Sequence, residues 1–294
     1  RFKSKKLFVF GAGASAYCSF NPCEEKYRER LPLGNELFTE KYCDSVYYKG
    51  VQKIVPFFEA RNLDVETFLE DYLTGIQSNY DILTLRDLIN VQYYVHDTIK
   101  RYTSIVSNNT SRYNAYSVFA TCLRKYLLKY PNILVSIVSF NYDTLLDESL
   151  EREFDYRFNN VEDYVNPKNS FWYFKPHGSI NWGWKITNEY LLKRNQERFI
   201  QYLYDEKVDL STIYYDFLDC KQGNLKSKEY GVEYLINKKA KFSVNKDAIS
   251  ILKDGEVFYP AMLLPYCDKD EFVMPYSQQL TMRDAFNQIE DLYL

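Results

Sequence analysis

The sequence predicts an α/β fold built on a parallel sheet and interrupted by a large helical insertion. Three observations carry that prediction. Leu7-Phe8-Val9-Phe10 is a short apolar run, read as a buried strand, that breaks off on Gly11. Residues 133–140 form a second buried-strand pattern, which ends on the polar Asn141-Tyr142-Asp143. Between the two lie about a hundred residues of mainly helical periodicity, far more than a simple crossover needs.

Composition narrows the classes. The chain has 294 residues, 46% of them apolar, enough to bury a sizeable core. The organisation expected is one domain over residues 1–294, with insertions at about 35–130 and about 188–250. A formal charge of −3, from 37 basic and 40 acidic residues, gives no overall field for nucleic acid or an anionic membrane. Neither is expected as a partner. Tyrosine occurs 29 times, and we read it as core and subunit-contact material because no RNA-binding aromatic motif accompanies it. Six cysteines without a Cys-x-x-Cys pair predict scattered buried thiols in a reducing compartment and no structural zinc. No stretch is long and apolar enough to cross a bilayer, and Lys3, Lys5 and Lys6 precede only four apolar residues, too few for a signal peptide. A cytoplasmic location is expected. The chain starts at Arg1 and stops after a helix, so it is expected to be part of a longer polypeptide.

Each element has its own justification. After the first strand, Gly11 permits a tight turn and Gly13 a close approach to something bulky and charged. A helix starting near Ser15 would then offer backbone N–H groups to a phosphate. Gly11-x-Gly13-x-x-Ala16 fits the dinucleotide fingerprint in its Gly/Ala form, hence a Rossmann-like sheet. The acidic second strand of a dehydrogenase is missing. In its place Cys23-Glu24-Glu25-Lys26 leads into a loop pattern at Leu31-Pro32-Leu33-Gly34. Residues 35–52 are predicted helical, and 64–73 an acidic-faced helix capped by Asp64. A longer helix over 84–106 places Leu85, Leu88, Ile89, Tyr93, His96 and Ile99 near one face, with His96 packing at the edge of that stripe. The helix at about 113–130 has a stripe of Phe119, Cys122, Leu123, Tyr126, Leu127 and Tyr130, in which Cys122 fills core space.

The second half is read the same way. A third strand, 171–174, ends in Lys175-Pro176-His177-Gly178-Ser179, and Asn181-Trp182-Gly183-Trp184 starts another segment. Residues 188–247 give helical fragments at 191–204 and 210–218, then a polar run at 221–229. The Lys238-Lys239-Ala240-Lys241 cluster reads as a solvated face. Residues 257–264 restore a buried strand, and the last helix buries Met282, Ala285, Phe286, Ile289 and Tyr293.

Three strand ends therefore carry unusual polar groups: Gly11 to Ser15, Asn141 with Asp143, and His177. In an open α/β sheet ligands bind at the carboxyl ends of strands. Singly, each has a structural explanation: Asn141 as a helix N-cap, Asp143 as a first-turn acid, His177 as a turn residue. As an ordered set they resemble the sirtuin superfamily, with its Gly-Ala-Gly-x-Ser turn, Asn-x-Asp strand end and His-Gly loop. Gly11-Ala12-Gly13-Ala14-Ser15, Asn141-Tyr142-Asp143 and His177-Gly178-Ser179 match in that order, over roughly residues 7–34, 133–184 and 257–294. The chain lacks the zinc ribbon of protein-deacylating sirtuins, and Phe140 stands where they have glutamine. It is more similar to the sirtuin-like domains of bacterial anti-phage systems, which degrade NAD.

That resemblance implies a sirtuin-type sheet without a zinc ribbon, and an NAD hydrolase that uses NAD as substrate and needs no metal. It implies catalytic roles for Asn141 and His177, and contacts to NAD from Gly11, Ala12, Gly13, Ser15, Asp143 and Ser179. It also implies a homo-oligomer or an assembly with a sensor, ATPase or Argonaute-type partner. Two other readings stay open: a binding module that senses NAD or ADP-ribose without turnover, and a zinc-free deacylase or ADP-ribosyltransferase.

Overall fold

The computed structural model describes residues 5–18, 30–42, 45, 47–52, 82–109, 114–185, 234–236, 252–253, 256–264, 273–274, 276–287 and 289. The fold is mixed α/β, with a parallel sheet and several helices, compatible with a Rossmann-like architecture. The parallel sheet has strands β1 (Lys5–Phe10), β2 (Leu134–Ser139) and β3 (Phe171–Phe174), ordered β1-β2-β3. Val9 lies beside Val138, and Val138 beside Phe174, so all three strands end at one level.

β2 is central and every one of its residues is buried, as expected of a strand covered on both faces. β1 departs from expectation. Its apolar run is half-buried rather than buried, and Val9 is 56% exposed. Phe8 and Phe10 pack on Phe119 at ring distances of 5.1 and 4.9 Å, and on the opposite face Leu7 is half-buried against the core while Val9 is left exposed.

The expected helices appear with corrections. Helix α1 (Ala12–Ala16) starts directly after Gly11, not near Ser15. Residues 35–52 are not one helix. Short 3-10 turns at Gly34–Glu36 and Glu40–Tyr42 precede a single turn, α2 (Tyr48–Val51). The Glu36 carboxylate explains the break, since it accepts from the Leu33 N–H at 3.0 Å and pairs with Arg30. Helix α3 (Ile82–Asn109) covers the predicted 84–106 and runs slightly further. The expected acidic helix at 64–73, the fragments at 191–204 and 210–218, the polar run after them and the lysine cluster lie outside the described residues.

Helix α4 (Ala115–Lys129) is capped by Asn114, whose side-chain oxygen accepts from the Ser117 N–H at 2.8 Å. It buries Tyr116, Ala120, Leu123 and Leu127. Those spacings of four, three and four define a stripe rotated from the expected one. Cys122 and Tyr130 are accordingly exposed, not core. Helix α5 (Leu145–Phe154) follows β2 and ends on Asp155 at φ 55°.

After β3 the chain enters a second sheet. Strands β4 (Gly178–Lys185), β5 (Tyr234–Ile236), β6 (Leu252–Lys253) and β7 (Glu256–Met262) are antiparallel, ordered β5-β4-β7-β6. The expected strand at 257–264 thus belongs here and not to the parallel sheet. β4 also begins at Gly178, ahead of the expected Asn181.

Aromatic side chains join the two sheets. Tyr164 sits 5.4 Å from Tyr173 of β3 and 5.2 Å, edge-on, from Trp182 of β4. From α3, Gln92 donates to the carbonyls of Pro260 and Met262 at 3.2 and 2.7 Å. His96 is fully buried and not at a stripe edge, with Nε2 2.8 Å from the Ile180 carbonyl. Helix α6 (Tyr276–Phe286) buries Met282 and Ala285 but leaves Phe286 exposed. No described helix is long and apolar enough to cross a membrane.

Candidate functional site

The site gathers at the carboxyl ends of the parallel strands. At the end of β1, Gly11, Ala12 and Gly13 are exposed, and an added Cβ at either glycine would meet nothing within 4 Å. Gly11 has φ −114° and ψ −179°, an ordinary extended conformation. Neither backbone strain nor internal crowding therefore calls for glycine at 11 or 13. In the first turn of α1 the Ala14 N–H donates to the Gly11 carbonyl at 2.9 Å, and the Ala12 and Gly13 backbones lie on this open lip.

Ser15 turns the other way. It is buried, and its hydroxyl lies 2.7 Å from the Tyr116 hydroxyl of α4. Asn141, at the end of β2, reaches into the same cluster. Its Nδ2 is 2.9 Å from the Gly11 carbonyl, 2.8 Å from Ser15 Oγ and 3.1 Å from the Tyr116 hydroxyl. An amide nitrogen has two hydrogens, so the three acceptors share them and the side chain is firmly oriented. Asn141 is not the N-cap of α5. That position is Thr144, and Asp143 Oδ1 accepts the nearby Leu145 N–H at 3.0 Å.

Asp143 lies beneath this cluster. Burial pushes its carboxyl above the usual carboxylate range, opposed by the nearby Lys175 charge and by a Ser15 hydrogen bond. Burial, then the Asp143 charge, raise the neighbouring Tyr116 hydroxyl and push the Cys18 thiol up to about 12. Both are favoured in the protonated form at neutral pH.

His177 is half-buried, on the turn where the parallel sheet hands over to the antiparallel one. Its ring centroid lies 4.9 Å from that of Phe140 and 6.2 Å from that of Tyr142, both beside Asn141 in sequence. The turn is pinned along its length. The Leu263 N–H donates to the His177 carbonyl at 2.9 Å, and the Val273 N–H to the Pro176 carbonyl at 2.8 Å. Gly178 has φ +78°, and a Cβ there would overlap the Ala261 carbonyl oxygen. Here glycine is obligatory.

Ser179 is fully buried. Its hydroxyl donates to the Tyr142 carbonyl at 3.2 Å and accepts from Lys175 Nζ at 2.8 Å. Lys175, also fully buried, donates to the Asp143 carbonyl at 2.6 Å and to Asp147 Oδ2 at 3.1 Å. The hydroxyls of Tyr164 and Tyr173 donate to Asp147 at 2.6 and 2.9 Å. Burial and the Asp147 charge hold both tyrosines well above their ordinary range.

The eight residues singled out in the sequence thus divide. Gly11, Ala12, Gly13 and His177 have the most surface to offer a ligand. Asn141, Ser15, Asp143 and Ser179 are largely buried, and their bonds tie the strand ends together. Sequence reasoning missed Tyr116, Asp147 and the role of Lys175. Two signals were available: a lysine closing an aromatic strand, and an acid on the same helix as Leu145, Leu146 and Leu150. Tyr116 gave none, because a hydroxyl used for a hydrogen bond reads as one more aromatic in an amphipathic helix. No protein-family model matches the chain, and no curated protein matches it significantly.

Proposed function

We propose that this chain is a sirtuin-like NAD hydrolase, cleaving NAD to nicotinamide and ADP-ribose as an effector of prokaryotic anti-phage defence through NAD depletion. The observation that carries the reading is the bond from the Asn141 side chain to the Gly11 carbonyl. It joins two of the three motifs, and His177 packs on the residues flanking Asn141.

The chemistry suits these groups. Breaking the N-glycosidic bond sends its electron pair into a cationic pyridinium ring and releases neutral nicotinamide, so the leaving group needs little acid help. The ribose carbon becomes oxocarbenium-like and is taken by water. What the protein must supply is orientation and a proton acceptor. His177, with an imidazole able to accept a proton, takes that of the attacking water or of a ribose hydroxyl. Asn141, with its nitrogen committed to Gly11 and its neighbours, has its carbonyl oxygen as the group with which to orient that water. The open glycine lip at Gly11 and Gly13 receives the diphosphate on backbone N–H groups.

Asn141→Ala and His177→Ala are each expected to lower NAD loss by at least about a hundredfold, within the usual range for a general base. Chromatography of the products, with circular dichroism to confirm folding, measures it. Unchanged turnover in both folded variants would sink the assignment. The same bonds from Asn141 favour one second reading, a binding module in which the residue is purely structural. Tight NAD binding with no product over hours would select it.

A further inference from the structure

Three separate segments meet at one buried ammonium. Lys175 donates to the carbonyl of Asp143, in the turn that carries Asn141, and to the hydroxyl of Ser179, in the turn that carries His177. Its third bond goes to Asp147 on α5. Three N–H groups thus meet three acceptors, and none is left over. We propose that Lys175 is a positioning residue that sets the Asn141 turn against the His177 turn. This rests on the hydrolase reading above and names a residue that reading does not use.

A fold needing only filled volume would not place a charge here. An apolar side chain with an uncharged partner commonly serves a core as well as a buried ion pair, or better. The bonds of Lys175 instead go to the two turns that carry the site. Its anchor is fixed as well, since both Asp147 oxygens are held by tyrosine hydroxyls from Tyr164 and Tyr173. The turns are stitched beside it by Ser179 and by the Ile180 N–H, both donating to the Tyr142 carbonyl. Without the ammonium, the two turns lose their common donor.

The test separates positioning from stability. Lys175→Met alone strands the Asp147 carboxylate and is expected to destabilise the fold, whereas Lys175→Met with Asp147→Asn removes both charges together. The chain has two histidines, so in histidine-selectively labelled protein the imidazole signal lost in a His177→Ala reference is assigned to His177. In the double variant, melting is expected near wild type, while the His177 titration midpoint moves by about half a unit or more. NAD turnover is expected to fall by about tenfold or more through lost orientation. An unmoved His177 signal with wild-type turnover overturns the inference. Should the double variant not fold, Ser179→Ala keeps the Lys175–Asp147 pair and must move the same signal; a signal unchanged there overturns it equally. Should wild-type protein leave NAD intact, the hydrolase reading falls, and the His177 signal alone still decides whether Lys175 positions the turn.

Discussion

Gly178 has the most sharply defined requirement of any residue near the site. Its left-handed backbone at φ +78° and its contact with the Ala261 carbonyl leave no room for a Cβ. Gly178→Ala is expected to cost roughly 2–4 kcal/mol, from strain added to overpacking. Urea unfolding measures it, and a loss under about 0.5 kcal/mol, the scale of an ordinary surface substitution, would contradict the geometry. The sequence offered a histidine followed by glycine, and the glycine was legible only as part of a motif. Its reason lies across the sheet in β7, more than eighty residues away, where local reading does not reach. Asn141 shows the same limit. Its place at a strand end could be read, but its bonds to Gly11, Ser15 and Tyr116 depend on how α4 packs on β1.

At the scale of elements, α3 is bound to the second sheet through His96. Burial, then the charge of Lys100, depress the imidazole from 6.5 to about 3, and the Ile180 carbonyl accepts from its Nε2–H. Between those two values the unfolded chain binds a proton that the folded chain refuses. Stability from this group is therefore complete above about pH 6.5 and declines as pH falls toward 3, by up to about 1.4 kcal/mol per pH unit. A His96→Gln variant, which keeps a donor, is expected to flatten the acid limb of a melting-temperature profile between pH 6.5 and 4, relative to wild type. Parallel profiles for the two proteins would show that His96 does not carry it. Element reading from sequence located α3 and β2, but α3 is buried on every side over residues 90–96, where one apolar face was expected. It failed where short side-chain bonds decide, as in the turns around Glu36, and on α4 it found Phe119, Leu123, Tyr126 and Leu127 but wrongly added Cys122 and Tyr130 and missed Tyr116 and Ala120.

At the scale of the molecule, a parallel sheet and an antiparallel one meet at the turn bearing His177, with Tyr164 packed between them. The parallel half could be read from two apolar runs. In the antiparallel half the segment from Asn181 and the strand at 257–264 could be read but not their pairing, because β4 pairs with strands that follow it after a long stretch of weak periodicity. The open lip at the end of β1 has a consequence for how such a chain is shaped by selection. Alanine at 13 would sit in helix α1 at an ordinary conformation, with nothing within 4 Å of its methyl group. Gly13→Ala is expected to raise stability by roughly 0.5–1 kcal/mol, while lowering affinity for NAD in a calorimetric titration. Undiminished affinity would show that no ligand approaches there. Under the proposed reading durability and function pull this position in opposite directions, and a lineage released from holding a dinucleotide would be free to drift to alanine and grow sturdier.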